Sequence, residues 1–132
     1  MNSNSIDTLV REAVFGSDDL SRQKNRLTIR ELAAETGIYP ASIHDLYMAA
    51  GKGAYKGMTV PAINIRGIAY DVACAVFRSI IKSESWACIF ELARSEMDYT
   101  VQSPDEYATV VMAAALKEGY TGPVFIQVDH TQ

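Results

Sequence analysis

The sequence predicts an α/β fold, and residues 59–132 carry the prediction. Three short runs rich in apolar and β-branched residues are typical of buried strands; they occupy residues 59–65, 86–92 and 123–128. A helical segment separates each run from the next, which gives the order strand, helix, strand, helix, strand. Helical crossovers of this kind make neighbouring strands parallel and their connections right-handed. Three strands cannot close a barrel, so the sequence predicts an unfinished sheet.

The composition is that of one ordinary globular domain. The chain has 132 residues, of which 48% are hydrophobic, and its net charge is −4. The acidic balance disfavours binding of nucleic acids or anionic membranes through bulk charge. The polar N-terminus lacks the pattern of a signal peptide, and no apolar run approaches the roughly 18 residues of a membrane helix. We therefore expect a cytoplasmic protein that makes no contact with a membrane.

Residues 1–50 are predicted to form a helical N-terminal extension. A capping box begins at Thr28, and the helix that follows it is expected to end at Gly37 and to restart after Pro40. This outline matches a DNA-binding helix-turn-helix. However, the second helix, residues 40–47, contains no Arg or Lys for phosphate or guanine. A structural helical hairpin is therefore favoured over a DNA-binding one.

Residues 51–58 are predicted to be a Gly-rich linker. No strand precedes their glycines and no G-K-[ST] sequence follows them, so a flexible connection is favoured over a phosphate-binding loop. The helix after Ser103 is the best marked, with Ser103 as N-cap, Pro104 at the first helical position and Glu106 completing a capping box. Gly119 is expected to end this helix, and its buried stripe is expected to consist of Ala108, Val111, Met112, Ala115 and Leu116.

Both cysteines, Cys74 and Cys88, lie in apolar segments and lack C-x-x-C spacing. Buried reduced thiols are therefore expected in preference to a disulfide or a zinc knuckle.

The third predicted strand ends in Asp129 and His130. Parallel α/β proteins place their chemistry at the C-terminal ends of strands, where a carboxylate can transfer protons and a neutral imidazole can bind a metal. Successive residues on a strand point in opposite directions, so both face one site only where the strand geometry ends. The structural alternative is an acidic turn cap beside a solvent-exposed histidine.

Polar residues also follow the first two predicted strands. Asn64 and Arg66 are candidates for the rim of a site, with packing or solvent exposure as the alternative. After the second strand, either Glu91 or Ser95 could face the site. Arg94 could hold a substrate phosphate or form a salt bridge with a neighbouring glutamate.

These motifs resemble one known family when they are taken in order. Val60-Pro61-Ala62-Ile63-Asn64-Ile65 is similar to the V-P-A-F-N-V first strand of class II, metal-dependent fructose-bisphosphate aldolases and their tagatose-bisphosphate relatives. The second strand with Ser95 and the third strand ending in Asp129-His130 resemble the next two strands of that family. The resemblance covers residues 59–132 and implies the first three strands of a (β/α)8 TIM barrel, truncated after the third.

The resemblance also implies an activity. It makes His130 a zinc ligand, Asp129 the acid/base at the aldehyde oxygen, and Asn64 and Ser95 substrate-binding residues. The implied reaction is the reversible aldol cleavage of a ketose bisphosphate to dihydroxyacetone phosphate and an aldehyde, with Zn²⁺ as Lewis acid. The family's other zinc histidines come from later strands, so further ligands are expected beyond residue 132. The implied partners are a phosphorylated sugar and, for the full-length protein, further copies of itself.

The 132-residue chain alone is expected to be inactive and marginally stable. Two other functions fit the sequence. The chain could be a small non-enzymatic α/β protein whose N-terminal helix-turn-helix binds DNA or a partner. It could also be a non-catalytic aldolase subunit that keeps the barrel without turnover.

Overall fold

The computed structural model describes residues 3–54, 56–57, 59–85 and 87–129, with the backbone alone at residues 3, 4 and 129. The helices are α1 (Ser3–Phe15), α2 (Asp19–Glu35), α3 (His44–Gly51), α4 (Ala69–Lys82), α5 (Arg94–Thr100) and α6 (Pro104–Glu118). The strands are β1 (Ile38–Ala41), β2 (Ala62–Asn64), β3 (Ile89–Ala93) and β4 (Gly122–Asp129).

The four strands form one parallel sheet in the order β1-β4-β3-β2. The α/β class is therefore confirmed. The three predicted strands correspond to β2, β3 and β4, and they lie side by side in chain order, as strands joined by short helical crossovers do.

The helices α2, α4 and α6 pack on one face of this sheet, and α1 packs on α2 and α6. Alternate strand residues, such as Phe90 and Leu92 of β3, join these helices in a single apolar core. The residues between them, such as Ile89, face the other side of the sheet and belong to a separate small cluster. None of the helices in the described part of the chain is long and apolar enough to cross a membrane.

Helix α6 lies at the centre of the core, and Ser103 caps it as predicted. The Glu106 carboxylate does not complete the predicted capping box, because it accepts hydrogen bonds from Arg26 and Gln102 instead. The Ser103 hydroxyl accepts a hydrogen bond from the Glu106 backbone N–H at 3.2 Å, and Pro104 occupies the first turn. The helix ends at Gly119, whose φ of 75° is left-handed. Arg26 of α2 contacts Glu106 at 2.9 Å, which ties α2 to the first turn of α6.

The helix-turn-helix predicted for the N-terminal region is wrong. Residues Ile38–Ala41, expected to span a turn and the start of a helix, form β1 and pair with β4. This segment forms a strand because its backbone makes hydrogen bonds with β4, which lies more than 80 residues later in the chain. The spacing of residues within 1–50 cannot predict a partner so far away. Gly37, with φ of 82°, does end the preceding helix as predicted.

The start of that preceding helix also differs from the prediction. Helix α2 begins at Asp19, and the Asp18 carboxylate caps it by accepting from the Ser21 N–H at 2.8 Å. Thr28 lies inside the helix, where its hydroxyl donates to the Lys24 carbonyl at 3.1 Å. A threonine hydroxyl can cap a helix or can bond to a carbonyl one turn earlier inside a helix, and the spacing of apolar residues does not distinguish these two roles.

Both cysteines are buried and free, as predicted. Burial raises the pKa of the Cys74 and Cys88 thiols to about 11, so at neutral pH neither is a thiolate.

Candidate functional site

A row of polar side chains crosses the sheet near the C-terminal ends of the strands. Asn64, Glu91 and Gln127 are neighbours in the register of β2, β3 and β4, and each is half-buried. They lie on the face of the sheet opposite the helices, since Phe90 and Leu92 take the helix side. The Gln127 amide nitrogen donates a hydrogen bond to the Glu91 carboxylate. The parallel register therefore brings together residues from three separate parts of the sequence.

An apolar floor lies below this polar row, towards the N-terminal ends of the strands. Ile89 and Phe125 are buried there although no large helix covers this face. They pack against Ile43, and Leu46 and Val60 lie against the same cluster. An apolar floor beneath a few convergent polar groups is the usual form of a small-molecule site.

Glu96 and Gln127 are the candidate site residues that the sequence analysis did not identify, and Glu96 is the more buried of the two. It is the third residue of α5, and only 3% of its surface is exposed. Its carboxylate accepts a hydrogen bond from the Ala93 N–H at 3.1 Å and forms an ion pair with Arg66. The Asn64 amide lies 3.4 Å from both carboxylate oxygens. Glu96 thus joins the ends of β2 and β3.

The electrostatics of Glu96 favour the charged carboxylate. Burial alone raises its pKa, but the hydrogen bonds from Ala93, Arg66 and Asn64 and the charge of Arg66 outweigh burial, so the pKa lies below its usual range. The sequence feature that could have indicated a helix start here is Glu96, three positions after Ala93, because a glutamate at this position forms half of a capping box. The signal was missed because residues 94–100 were not predicted to be a helix.

The structure separates the predicted substrate-binding residues. Asn64 lies in the polar row, with its amide turned towards Glu96. Ser95 lies in the first turn of α5 and is exposed, and its side chain makes no hydrogen bond within the described residues. Of the two residues considered for the second strand, Glu91 faces the row. Arg66 pairs with Glu96 while 67% of its side chain remains exposed, so its guanidinium lies at the rim.

The predicted catalytic and metal-binding residues lie at the edge of what the structure describes. The backbone of Asp129 pairs in register with Ala93, two residues beyond Gln127, whereas its side chain and the whole of His130 fall outside the described residues. Within the described residues, no group of three or more His, Cys, Asp and Glu side chains could hold a metal ion.

Comparison with protein-family models, with curated proteins and with solved structures gives no match. The site combines the polar row with the Glu96 carboxylate and, at its rim, the Arg66 guanidinium, and an apolar floor lies below the row. Side chains of these types can bind a polar ligand that has hydroxyl or phosphate groups.

Proposed function

We propose that this chain is the N-terminal part of a class II aldolase-like lyase, which cleaves a ketose bisphosphate reversibly to dihydroxyacetone phosphate and an aldehyde. The observation that carries the proposal is the order of β2, β3 and β4. They are adjacent, parallel and in chain order, and their C-terminal ends bring Asn64, Glu91 and Gln127 into one row. Such a succession of three strands is what the start of a (β/α)8 barrel requires, and barrel enzymes react at this end. In a complete barrel the fourth strand would have to replace β1, which pairs with the outer side of β4 in this chain.

In this proposal Asp129 is the proton-transfer residue. During cleavage the bond between C3 and C4 of the ketose breaks, its electron pair stays on the dihydroxyacetone phosphate carbon, and the C4 hydroxyl gives its proton to the Asp129 carboxylate. During condensation the same carboxyl returns the proton to the aldehyde oxygen. Asn64 and Ser95 are the proposed substrate contacts, and the exposed Arg66 guanidinium is placed to attract the phosphate.

The proposed metal is Zn²⁺, with His130 as one ligand. Because the described residues hold no group of three donors, further ligands have to come from outside them. The proposed location is the cytoplasm, and the proposed partner is a phosphorylated sugar.

The test is an assay of the protein encoded by the complete reading frame, with fructose or tagatose bisphosphate as substrate and triose phosphate release as the signal. Activity should disappear on chelation and return with zinc. Asp129→Asn should lower kcat at least about 100-fold, since a positioned acid/base contributes that much or more. The matched control is Asp98→Asn, because Asp98 is an exposed aspartate of α5.

Equal turnover of the Asp129 and Asp98 variants would contradict the proposal. Full metal-dependent turnover by the 132-residue chain alone would contradict only the expectation that this chain is inactive. A complete but inert protein with an intact fold would instead favour the non-catalytic subunit.

A further inference from the structure

A cleft of about 560 Å³ lies among the helices, on the side of the sheet opposite the polar row. Helices α1 and α4 both pack on α6, and the cleft is the space between them. Its apolar walls are formed by Val10 and Val14 of α1, Ala69 of α4 and Val110 of α6. Small-molecule pockets occupy about 300–1,000 Å³, so this volume can hold a small ligand.

Two acidic residues of the cleft are already paired. The Asp7 carboxylate accepts hydrogen bonds from the Tyr70 hydroxyl and the Lys117 ammonium group, both at 2.7 Å. These bonds hold the pKa of Asp7 below its usual range. The Glu106 carboxylate forms an ion pair with Arg26 at 2.9 Å. Neither carboxylate therefore lacks a partner that a ligand would have to supply.

Two other charged residues line the cleft without a partner. Arg11 of α1 lies on one side of the cleft and Asp71 of α4 on the other. Neither side chain forms a hydrogen bond or an ion pair within the described residues, although their charges are opposite. A ligand that carries both a carboxylate and an ammonium group can pair with both residues at once. Its apolar part would then lie against the valines of the walls.

Two residues in the left-handed region border the cleft. Ile68 lines it with φ of 42°, and Val101, with φ of 56°, lies between two residues that line it. β-branched residues rarely adopt this conformation, and strain of this kind clusters at sites that hold ligands. Both side chains extend into solvent, since Ile68 is 74% and Val101 is 85% exposed. Apolar groups are therefore available at the mouth to cover a bound molecule.

We propose that this cleft binds an α-amino acid with an apolar side chain. The ligand carboxylate pairs with Arg11, its ammonium group pairs with Asp71, and its side chain packs on the apolar walls. A phosphorylated sugar does not fit this arrangement, because it has no cation for Asp71. The cleft is thus a second site, and its ligand differs in class from the substrate proposed for the polar row.

The test is the binding of L-leucine to the 132-residue chain, measured by isothermal titration calorimetry. Isoamylamine lacks the carboxylate of leucine, and isocaproate lacks its ammonium group. Each should bind about tenfold more weakly than leucine, because one charged residue of the cleft then stays without a partner. Glycine keeps both charges without the apolar side chain, and it should also bind about tenfold more weakly.

Substitution of each charge tests the assigned contacts. Arg11→Gln should weaken leucine binding about tenfold and leave isoamylamine binding unchanged, since isoamylamine has no carboxylate for Arg11. Asp71→Asn should likewise weaken leucine binding and leave isocaproate binding unchanged. The matched controls are Glu12→Gln of α1 and Lys82→Gln of α4, because both residues are exposed and lie outside the cleft. Both controls should bind leucine as the unaltered chain does.

A chain that shows no saturable binding of leucine at millimolar concentrations would overturn the proposal. Isoamylamine or isocaproate that binds as tightly as leucine would also overturn it, because the cleft would then recognise a simple amine or a simple carboxylate. Leucine binding that ignores both Arg11→Gln and Asp71→Asn would overturn it by placing the ligand elsewhere. The proposal does not rest on the lyase activity, and an inactive chain that binds leucine counts only against the proposed function.

Discussion

At the scale of single residues, Glu96 is the one buried carboxylate in the described part of the chain. It accepts the Ala93 N–H, and it orients Asn64 and Arg66. The Arg66 ion pair contributes little, since that side chain is mostly exposed. The buried backbone N–H of Ala93 matters more, because losing its acceptor leaves a buried donor without a partner.

Glu96→Ala is therefore expected to lower the free energy of unfolding by about 2 kcal/mol. Glu96→Gln should cost less, because an amide oxygen can still accept from Ala93. The folded pKa of Glu96 is depressed, so its stabilisation is present above the usual carboxyl value and is lost as pH falls through the folded value. Urea unfolding between about pH 5 and pH 3 should show a shallower decline for Glu96→Gln than for the unaltered chain.

The control for Glu96 is Glu35→Ala, since Glu35 is exposed near the end of α2. Its effect should stay within about 0.5 kcal/mol. If Glu96→Ala resembles this control, the hydrogen bonds of Glu96 do not hold the strand ends together.

At the scale of elements, α6 shows how local signals and burial combine. The sequence predicted its N-cap serine, its proline in the first turn and its terminal glycine, and all three have these positions in the structure. The extent of its burial was not fully predicted from the sequence. The predicted buried stripe consisted of Ala108, Val111, Met112, Ala115 and Leu116. Val110, Ala113 and Ala114 are buried as well, because α1, α2 and α4 surround the helix.

Ser103→Ala should destabilise the chain by about 1 kcal/mol, since it removes the acceptor for the Glu106 N–H at the start of α6. The matched control is Ser95→Ala, because Ser95 is exposed and its side chain makes no hydrogen bond within the described residues. Thermal unfolding followed by circular dichroism measures both variants. An equal loss in the two variants would mean that the serine does not cap α6.

At the scale of the whole molecule, the core crosses the boundary predicted between the helical extension and the strands. One apolar cluster contains Ile6 of α1, Ile29 of α2 and Ile38 of β1 together with Phe90 of β3 and Val124 of β4. The chain should therefore unfold in a single transition, as small domains with one core do.

Ile38→Ala tests this shared core. Only 1% of the surface of Ile38 is exposed, so the cavity should cost about 3 kcal/mol and lower the one transition seen by all probes. Tyr39→Ala is the control in the same strand, since Tyr39 is 53% exposed. Loss of the N-terminal helices before the sheet, seen as two separate transitions in denaturant, would contradict a common core.

The sequence by itself determined the elements whose signals are local. Apolar runs predicted β2, β3 and β4, and helical spacing predicted α4. Capping residues predicted the start and the end of α6. The succession of strands and helices predicted that the strands are parallel. The position of Asn64 at the end of a strand also follows from this succession. Gln127 was not identified from the sequence as a site residue.

The tertiary structure alone decided the features that depend on distant partners. Ile38–Ala41 became a strand because β4 lies beside it, and Glu96 became buried because the ends of β2 and β3 meet around it. Leu20 and Leu27 of α2 are exposed because α6 covers only the opposite side of that helix. In each case the conformation or burial depends on contacts with residues tens of positions away in the chain, and the local spacing of residues does not predict such contacts.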